Sequence, residues 1–350
     1  MEANMKYNID MNYLVESFRR VVNTPSPVGY YVKLNPVLEE MAKELGFSVT
    51  VDEKNTTYIT VEGEDSERTV LVGAHGDTVG LIVRSINADG TLLVRKLGGV
   101  CMPSIEGETV TVHTRCGKDY SGLAICKSHS VHVFDDANTL ERNENTVRIL
   151  LDEDVKTKAD VKALGIQNGD IISVDPRCQL TENGYLKSRF IDDKGAIACV
   201  FAAIKYLRDN NKKPKYNTLF AFPYYEENGM GGSYVPTGVS EYVAMDIGLI
   251  GPELDGEERK VSICPKDGAT VYNYGLTSEL IELAKKTDCD YAVDVFYRYS
   301  TDANSAMRGG NNIKNAAFGM AVYCSHGMER THLKGLENTT GLLLAYLLDR

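Results

Sequence analysis

Short acidic and histidine-bearing motifs occur in a fixed order along the chain. In sequence order they are His75-Gly76-Asp77, Asp192-Asp193, Glu226-Glu227, Asp246 and Ser325-His326. Mixed imidazole and carboxylate groups are ligands that hold two divalent metal ions around a bridging water. The series therefore predicts metal-assisted hydrolysis.

The Glu226-Glu227 pair is the most informative of these motifs. It closes an apolar segment that begins at Leu219, where glutamates are hard to justify as packing. A buried carboxylate must be paired or bound to a metal. Because neighbouring residues of an extended segment point in different directions, one glutamate could bind metal while the other takes a proton from the bound water.

The other motifs each have a structural interpretation beside the functional one. His75 follows a predicted strand, and Asp77 could orient its ring, although a histidine and a turn aspartate also suit a strand end. Asp192 is a candidate bridging ligand, but an aspartate pair before a helix also serves as a cap. Asp246 interrupts an apolar strand, where a metal, a turn or an ion pair would have to accommodate its charge. For the last ligand we prefer His326, directly after a strand, and expect His332 to lie in a loop or contact the substrate.

Composition limits the class of protein and its partners. The 350 residues are 43% apolar and carry a net charge of −11, which disfavours nucleic acid and anionic membranes as partners. Eight cysteines without a CxxC pair are predicted to be buried thiols in a reducing compartment. Residues 1–10 are polar without an apolar core, so we expect no signal peptide and a cytoplasmic location.

The elements that must position these residues alternate between helices and strands. Met11 to Val22 is predicted as a helix capped by Asp10, and Asn35 with Pro36 is predicted to begin a second. Strands and helices then alternate in a way that predicts an α/β fold, with a mainly parallel sheet flanked by helices. Residues 81–180 instead show short strands, including one over 130–134, typical of a small inserted all-β barrel or sandwich. We therefore predict a catalytic domain formed by residues 1–80 and 181–350, interrupted by this insertion.

The series resembles the dinuclear metallo-aminopeptidases of the glutamyl and deblocking aminopeptidase family, some members of which carry endoglucanase labels. Segments 74–84, 164–170 and 189–195 resemble the first metal motif, the end of the inserted domain and the bridging-aspartate motif. The resemblance implies a zinc-peptidase-like catalytic domain that hydrolyses N-terminal residues from peptides. It also implies two divalent metal ions, zinc or cobalt, and hollow tetrahedral particles, so that the barrel would mediate homo-oligomers up to a dodecamer built from dimers.

The same resemblance implies individual roles. Asp192 would bridge both metals, His75 and Asp246 would complete one site, and Glu227 and His326 the other. Glu226 would be the general base acting on a metal-bridging hydroxide.

A further segment resembles the family's substrate pocket. It contains Asp302, and Arg298 and Arg308 flank it. We expect Arg298 and Asp302 to contact the substrate, and a cation here to favour acidic N-terminal residues.

Three alternatives to an aminopeptidase stay open at this point. A related two-metal carboxypeptidase or N-acyl amidohydrolase shares the order of the motifs. A non-catalytic shell or binding protein could keep the fold. Glycoside hydrolysis suits the motifs least, because it normally uses two carboxylates without metal.

Overall fold

The computed structural model describes residues 7–350. Most of the segment on which the signal-peptide expectation depends therefore lies outside the described residues. The helices are α1 Met11–Val22, α2 Leu34–Glu44, α3 Lys158–Ala163, α4 Ile191–Asp209, α5 Tyr274–Lys286, α6 Asp302–Arg308 and α7 Leu333–Leu348. The first nine strands are β1 Val49–Val51, β2 Thr57–Val61, β3 Asp65–Gly73, β4 Gly80–Ile86, β5 Leu92–Leu97, β6 Thr109–His113, β7 Asp119–Cys126, β8 Val147–Leu151 and β9 Ile171–Val174. The others are β10 Gln179–Leu180, β11 Tyr185–Ser188, β12 Tyr216–Phe222, β13 Val239–Met245, β14 Gly248–Leu249, β15 Val261–Lys266, β16 Tyr291–Val295, β17 Lys314–Val322 and β18 Glu329–His332.

A mainly parallel sheet forms the centre of the molecule. Its strand order is β1-β2-β12-β3-β13-β17-β15-β16, and β14 pairs with β17. The four central strands β12, β3, β13 and β17 are parallel to one another. Alternate residues of β3 belong to two different apolar clusters. Val70 and Val72 belong to the cluster that includes residues of α1, α4 and α7, whereas Leu71 belongs to the cluster that includes residues of α6. The sheet is therefore covered on both faces, as predicted.

The inserted segment folds as a closed barrel. Its strands β4, β5, β8, β7, β6 and β9 follow one another around the barrel. The short segment 74–79 connects β3 of the central sheet directly to β4 of the barrel, which begins at Gly80. The predicted α/β fold with a small β barrel is thus confirmed, while the exact domain boundaries at residues 80 and 180 stay a prediction.

Several local predictions need correction. Asn35 does not cap α2; its side-chain oxygen accepts hydrogen bonds from Thr57 Oγ1 at 2.7 Å and Tyr224 Oη at 2.6 Å. Residues 130–134 form turns with Val131 and Val133 exposed, since no neighbouring strand pairs with them. The prediction also missed two barrel strands, β7 and β9. β7 contains an aspartate and a glycine, which have low β propensity.

The cysteines also differ from their prediction. All eight are free thiols, but only Cys126, Cys199, Cys264 and Cys289 are buried. No helix of the described chain is long and apolar enough to cross a membrane.

Candidate metal centre

Three candidate residues lie at the ends of adjacent parallel strands. His75 follows β3, Asp246 directly follows β13, and Glu226 comes after β12. Because β3 pairs in parallel with both β12 and β13, their carboxyl ends lie side by side at one edge of the sheet. Ligands of open α/β sheets bind at this edge. The topology thus gathers residues that are distant in sequence.

His75 is held in a single tautomer by the backbone. Its Nδ1 lies 2.9 Å from the carbonyl oxygen of Asp77, which can only accept, so Nδ1 carries the proton. Nε2 is then free to bind a cation, and it faces Asp192 Oδ1 at 3.0 Å and Glu226 Oε2 at 3.9 Å. The buried ring therefore presents one ligand atom to a group of carboxylates.

Asp77 acts on the glutamate pair more directly than on the histidine. Its carboxylate lies 3.6 Å from His75 Nδ1, too far for an ordinary hydrogen bond. The two oxygens instead accept the amides of Glu226 and Glu227, each at 3.2 Å. The glutamates form a 3₁₀ turn and not the extended segment predicted from sequence, because β12 ends at Phe222.

Asp192 lies between the two imidazoles. It lies among the kinked first residues of α4, where its own backbone is not helical, and its Oδ1 faces His75 Nε2 while its Oδ2 faces His326 Nε2 at 3.6 Å. Ser325 Oγ donates to the same Oδ2 at 3.2 Å. The next residue, Asp193, accepts the backbone amide of His75 at 3.1 Å. A carboxylate whose oxygens face two different ring nitrogens has the arrangement of a bridging ligand.

His326 has the same orientation as His75, and Gly99 makes it possible. Its Nδ1 lies 3.1 Å from the carbonyl oxygen of Gly99, so Nε2 is free and also faces Glu227 Oε2 at 3.1 Å. A Cβ at position 99 would lie 2.5 Å from Nδ1, so only glycine allows this approach. Both rings thus direct Nε2 to carboxylate oxygens, where a proton or a metal ion must intervene.

The second candidate histidine, His332, is placed elsewhere. Its Nδ1 accepts the amide of Lys334 at 2.9 Å and caps α7, and its Nε2 lies 2.8 Å from the carbonyl oxygen of Asn183. Both ring nitrogens therefore have backbone partners. The structure does not bring His332 to the cleft, contrary to the expected substrate contact.

The buried carboxylates indicate a need for cations. Burial, together with the charge of Asp192, raises the pKa of Asp246 to about 8, and burial also raises the pKa values of Glu226 and Glu227. Burial alone would lower the pKa of His326, but the Asp192 and Glu227 carboxylates raise it to about 12. Glu227 Oε1 is buried and has no hydrogen-bond partner among the described residues.

Three sets of residues bring possible ligand atoms within 4.8 Å of one another. The sets are His75 with Asp192 and Glu227, His75 with Glu226 and Asp246, and Asp192 with Asp193 and Asp246. They share members, so they form one continuous cluster. Imidazole and carboxylate groups that lie this close together fit divalent metal ions.

A cleft of about 420 Å³ opens over this cluster. The side chains Asp192, Glu226, Glu227, Asp246 and His326 line one part of it. Arg298, Tyr299 and Arg308 line another part, so Arg298 lies in the same cleft as the candidate ligands. This volume is typical of small-molecule sites.

Asp302 does not line the cleft and instead holds the segment that follows Gly229, a residue of the cleft lining. Its buried Oδ1 accepts the amide of Gly232 at 2.6 Å. From the other side, Lys54 Nζ donates to the carbonyl oxygens of Met230 and Gly231, both at 2.7 Å. A Cβ at Gly232 would lie 2.0 Å from the Asp302 carbonyl oxygen, which explains this glycine.

Sequence reasoning missed two residues that support the site. Lys54 lies in a turn between β1 and β2, and a surface lysine in a turn gives no signal of such a contact. Glu329 was not among the predicted site residues, yet its buried carboxylate accepts hydrogen bonds from two segments that carry candidate ligands. Lys54 is more than a hundred residues from Met230 in sequence, and Glu329 is more than a hundred residues from Asp192. No local sequence pattern could therefore reveal either contact.

Comparison with known proteins finds relatives that match most of the chain. The family described as M42 glutamyl aminopeptidase matches residues 55–342. The Bacillus subtilis (strain 168) protein YhfE is 37% identical over 334 residues, which are 95% of this chain and 96% of that protein. Lysyl aminopeptidase of Pyrococcus furiosus is 22% identical over 348 residues, 95% of this chain and 96% of that enzyme.

A solved structure gives the same fold. The TET1 peptidase of Pyrococcus horikoshii superimposes with a TM-score of 0.84 at 21% identity, over 96% of this chain and 100% of that chain. The prediction of a peptide-bond hydrolase is confirmed by the family match. This chain belongs to the M42 glutamyl aminopeptidase family, whose members are metal-dependent hydrolases.

Proposed function

We propose that the protein is a two-metal aminopeptidase that removes N-terminal residues from peptides. The observation that carries the proposal is the position of Asp192, whose two oxygens face the free ring nitrogens of His75 and His326. One carboxylate between two imidazoles suits a pair of ions better than a single ion. Membership in a family of aminopeptidases supports the reaction class.

The residues present fit two divalent ions. Asp192 would contribute to both sites, His75 and Asp246 would complete one, and Glu227 and His326 the other. The second assignment is supported by the 3.1 Å contact between Glu227 Oε2 and His326 Nε2. When bound, zinc or cobalt ions would supply an acidified water near neutral pH and would polarise the peptide carbonyl.

Glu226 would hold and transfer the proton. Its side chain is largely buried and lines the cleft, and Asp77 fixes its backbone amide. The carboxylate would take a proton from the attacking water and give it to the leaving amine. Asp77 would act through Glu226 by holding the turn in position.

A peptide assay separates this reaction from related ones. With zinc or cobalt loaded, we expect hydrolysis of a peptide with a free N-terminus and no hydrolysis of its N-acetylated form. C-terminal amidation should have little effect, because a carboxypeptidase would need the free carboxylate. Hydrolysis of the acetylated peptide, or none of any peptide, would contradict the proposal.

The two arginines of the cleft, Arg298 and Arg308, would favour substrates with acidic N-terminal residues. Arg308 Nη2 lies 3.3 Å from Ser300 Oγ, and the Arg298 guanidinium packs 5.5 Å from the centre of the Tyr297 ring, so both are oriented by neighbours. A hydrogen bond to a charged group contributes about 1.5–3 kcal/mol. Arg298→Met and Arg308→Met should therefore lower kcat/KM for Glu-anilide by about 10- to 100-fold.

The matched control for these variants is Arg84→Met, which removes an exposed arginine of the barrel. Glu-, Asp-, Leu- and Lys-anilides would be compared side by side. Hydrolysis of Leu-anilide should change little in any variant. Preference of the wild-type protein for Leu- or Lys-anilide would contradict the role of the arginines.

The protein would act as a homo-oligomer in the cytoplasm. The Pyrococcus horikoshii TET1 peptidase can assemble into a tetrahedron or a large octahedral shell. By analogy the barrel would mediate assembly of this chain, up to a dodecamer built from dimers. Light scattering of the purified protein measures the number of subunits.

A further inference from the structure

The carboxylate of Glu329 connects two segments that carry candidate metal ligands. Its Oε2 accepts the backbone amide of Asp192 at 3.0 Å, and its Oε1 accepts the backbone amide of His326 at 3.0 Å. Glu329 is 2% exposed, so water does not compete for these hydrogen bonds. One side chain thus fixes the start of both segments.

The backbone of Glu329 is itself fixed by strand pairing. It begins β18, which pairs with β11, and Ser188 lies opposite it in the register. Since β11 leads into the segment of Asp192 and β18 follows the segment of His326, this pairing already brings the two segments together. The carboxylate then acts over a short distance from a rigid strand.

The chemistry of the contact requires two acceptors. Two amide N–H groups point to two different oxygens of the same side chain. A carboxylate provides an acceptor to each, whereas the amide of glutamine provides one acceptor and one NH₂ donor. Glutamine has nearly the same shape, so it would leave one of the two buried amides unsatisfied.

We infer that Glu329 is a positioning residue that sets the spacing between Asp192 and His326. It would thereby hold Asp192 Oδ2 and His326 Nε2, 3.6 Å apart, in place to share one metal ion. This inference rests on the proposed function, because it concerns the site to which these two residues are assigned. Glu329 itself would not touch metal or substrate.

Zinc affinity provides the first test. We expect Glu329→Gln to weaken binding of one of two zinc ions by about 10- to 100-fold, the usual loss when a supporting partner of a ligand is removed. Competition with a chromogenic chelator measures both affinities. The matched control is Glu258→Gln, which removes a neighbouring carboxylate. Glu258 pairs with Arg330 at 2.6 Å, whereas the backbone amides of Asp192 and His326 donate to Glu329.

Hydrogen exchange of the protein without added metal provides a readout that does not depend on activity. In Glu329→Gln, the peptide whose amide loses its acceptor, either that of Asp192 or that of His326, should take up deuterium faster than in the wild-type protein or in Glu258→Gln. Glu329→Ala removes both acceptors, so both peptides should then exchange faster. Glu329→Asp keeps the charge but is one methylene shorter, so it should show faster exchange in at least one of these peptides if the other variants fail to fold. Wild-type zinc affinities and exchange rates in all three Glu329 variants would overturn the inference.

The outcomes also separate this inference from the proposed function. If the wild-type protein bound fewer than two zinc ions, the two-metal proposal would fail whatever the variants did. Faster exchange at both segments in Glu329→Ala would still show that this carboxylate couples them. Faster exchange at only one segment in Glu329→Ala would overturn the coupling even in an active two-metal enzyme.

Discussion

Replacing Glu226 by glutamine is expected to lower kcat by about 10²- to 10⁴-fold while both metal ions stay bound. Glutamine keeps the size of the side chain and its place in the cleft, but its amide cannot take a proton from water. The backbone hydrogen bond from Glu226 to Asp77 does not depend on the side chain, so the turn should be preserved. Steady-state kinetics and metal analysis of the same preparation measure both expectations.

The same variant distinguishes a base from a ligand. Glu226 lies near enough to His75 and Asp246 to join them around an ion, so the geometry alone allows either role. If Glu226 were a ligand, the glutamine variant would lose metal together with activity. Glu182→Gln is the control for loss of one negative charge, because Glu182 is exposed and outside the cleft. Full activity of Glu226→Gln would contradict its assignment as the base.

Replacing His326 by alanine is expected to remove one metal ion and the activity with it. The ring offers a free Nε2 near Asp192 and Glu227, and no other imidazole lines the cleft among the described residues. Loss of a residue that only supports a metal ligand lowers the affinity by roughly 10- to 100-fold. Loss of the ligand His326 itself should lower the affinity for the second zinc ion by more than this. Zinc titration with a competing chelator measures this change.

His332→Ala is the matched control and has a different expected result. Since this ring caps α7, its loss should lower the free energy of unfolding by about 0.5–2 kcal/mol without changing metal binding. Thermal and denaturant unfolding measure the stability change. Loss of zinc in His332→Ala, with normal binding in His326→Ala, would reverse the assignment of the two histidines.

Strand-end positions were the part of the site that the sequence predicted best. A strand of apolar residues that stops at a polar one is a local pattern, and it placed His75 at the carboxyl edge of the sheet. Asp246 was predicted to interrupt a strand, whereas β13 ends at Met245, directly before it. Parallel pairing then brings these positions together whatever the intervening loops do. The helix Met11–Val22, capped by Asp10, could be predicted equally well, because the spacing of its apolar residues and its cap are local features of the sequence.

Long-range contacts of polar side chains were not predictable in this way. Asn35 suited a helix cap by its neighbours in sequence, but it bonds Thr57 and Tyr224 across the fold. Asp302 was expected to meet substrate, yet it holds Gly232. His332 and Asp77 likewise have partners that only the folded chain brings near. In each case the residue type was informative about hydrogen bonding, and the identity of the partner depended on topology.

Anomalous diffraction from crystals grown with zinc tests the central claim most directly, because it locates each metal ion against named side chains. The account predicts two zinc peaks in the cleft, with Asp192 contacting both, His75 and Asp246 contacting one, and Glu227 and His326 contacting the other. A single peak, or two peaks of which neither contacts Asp192, would contradict it.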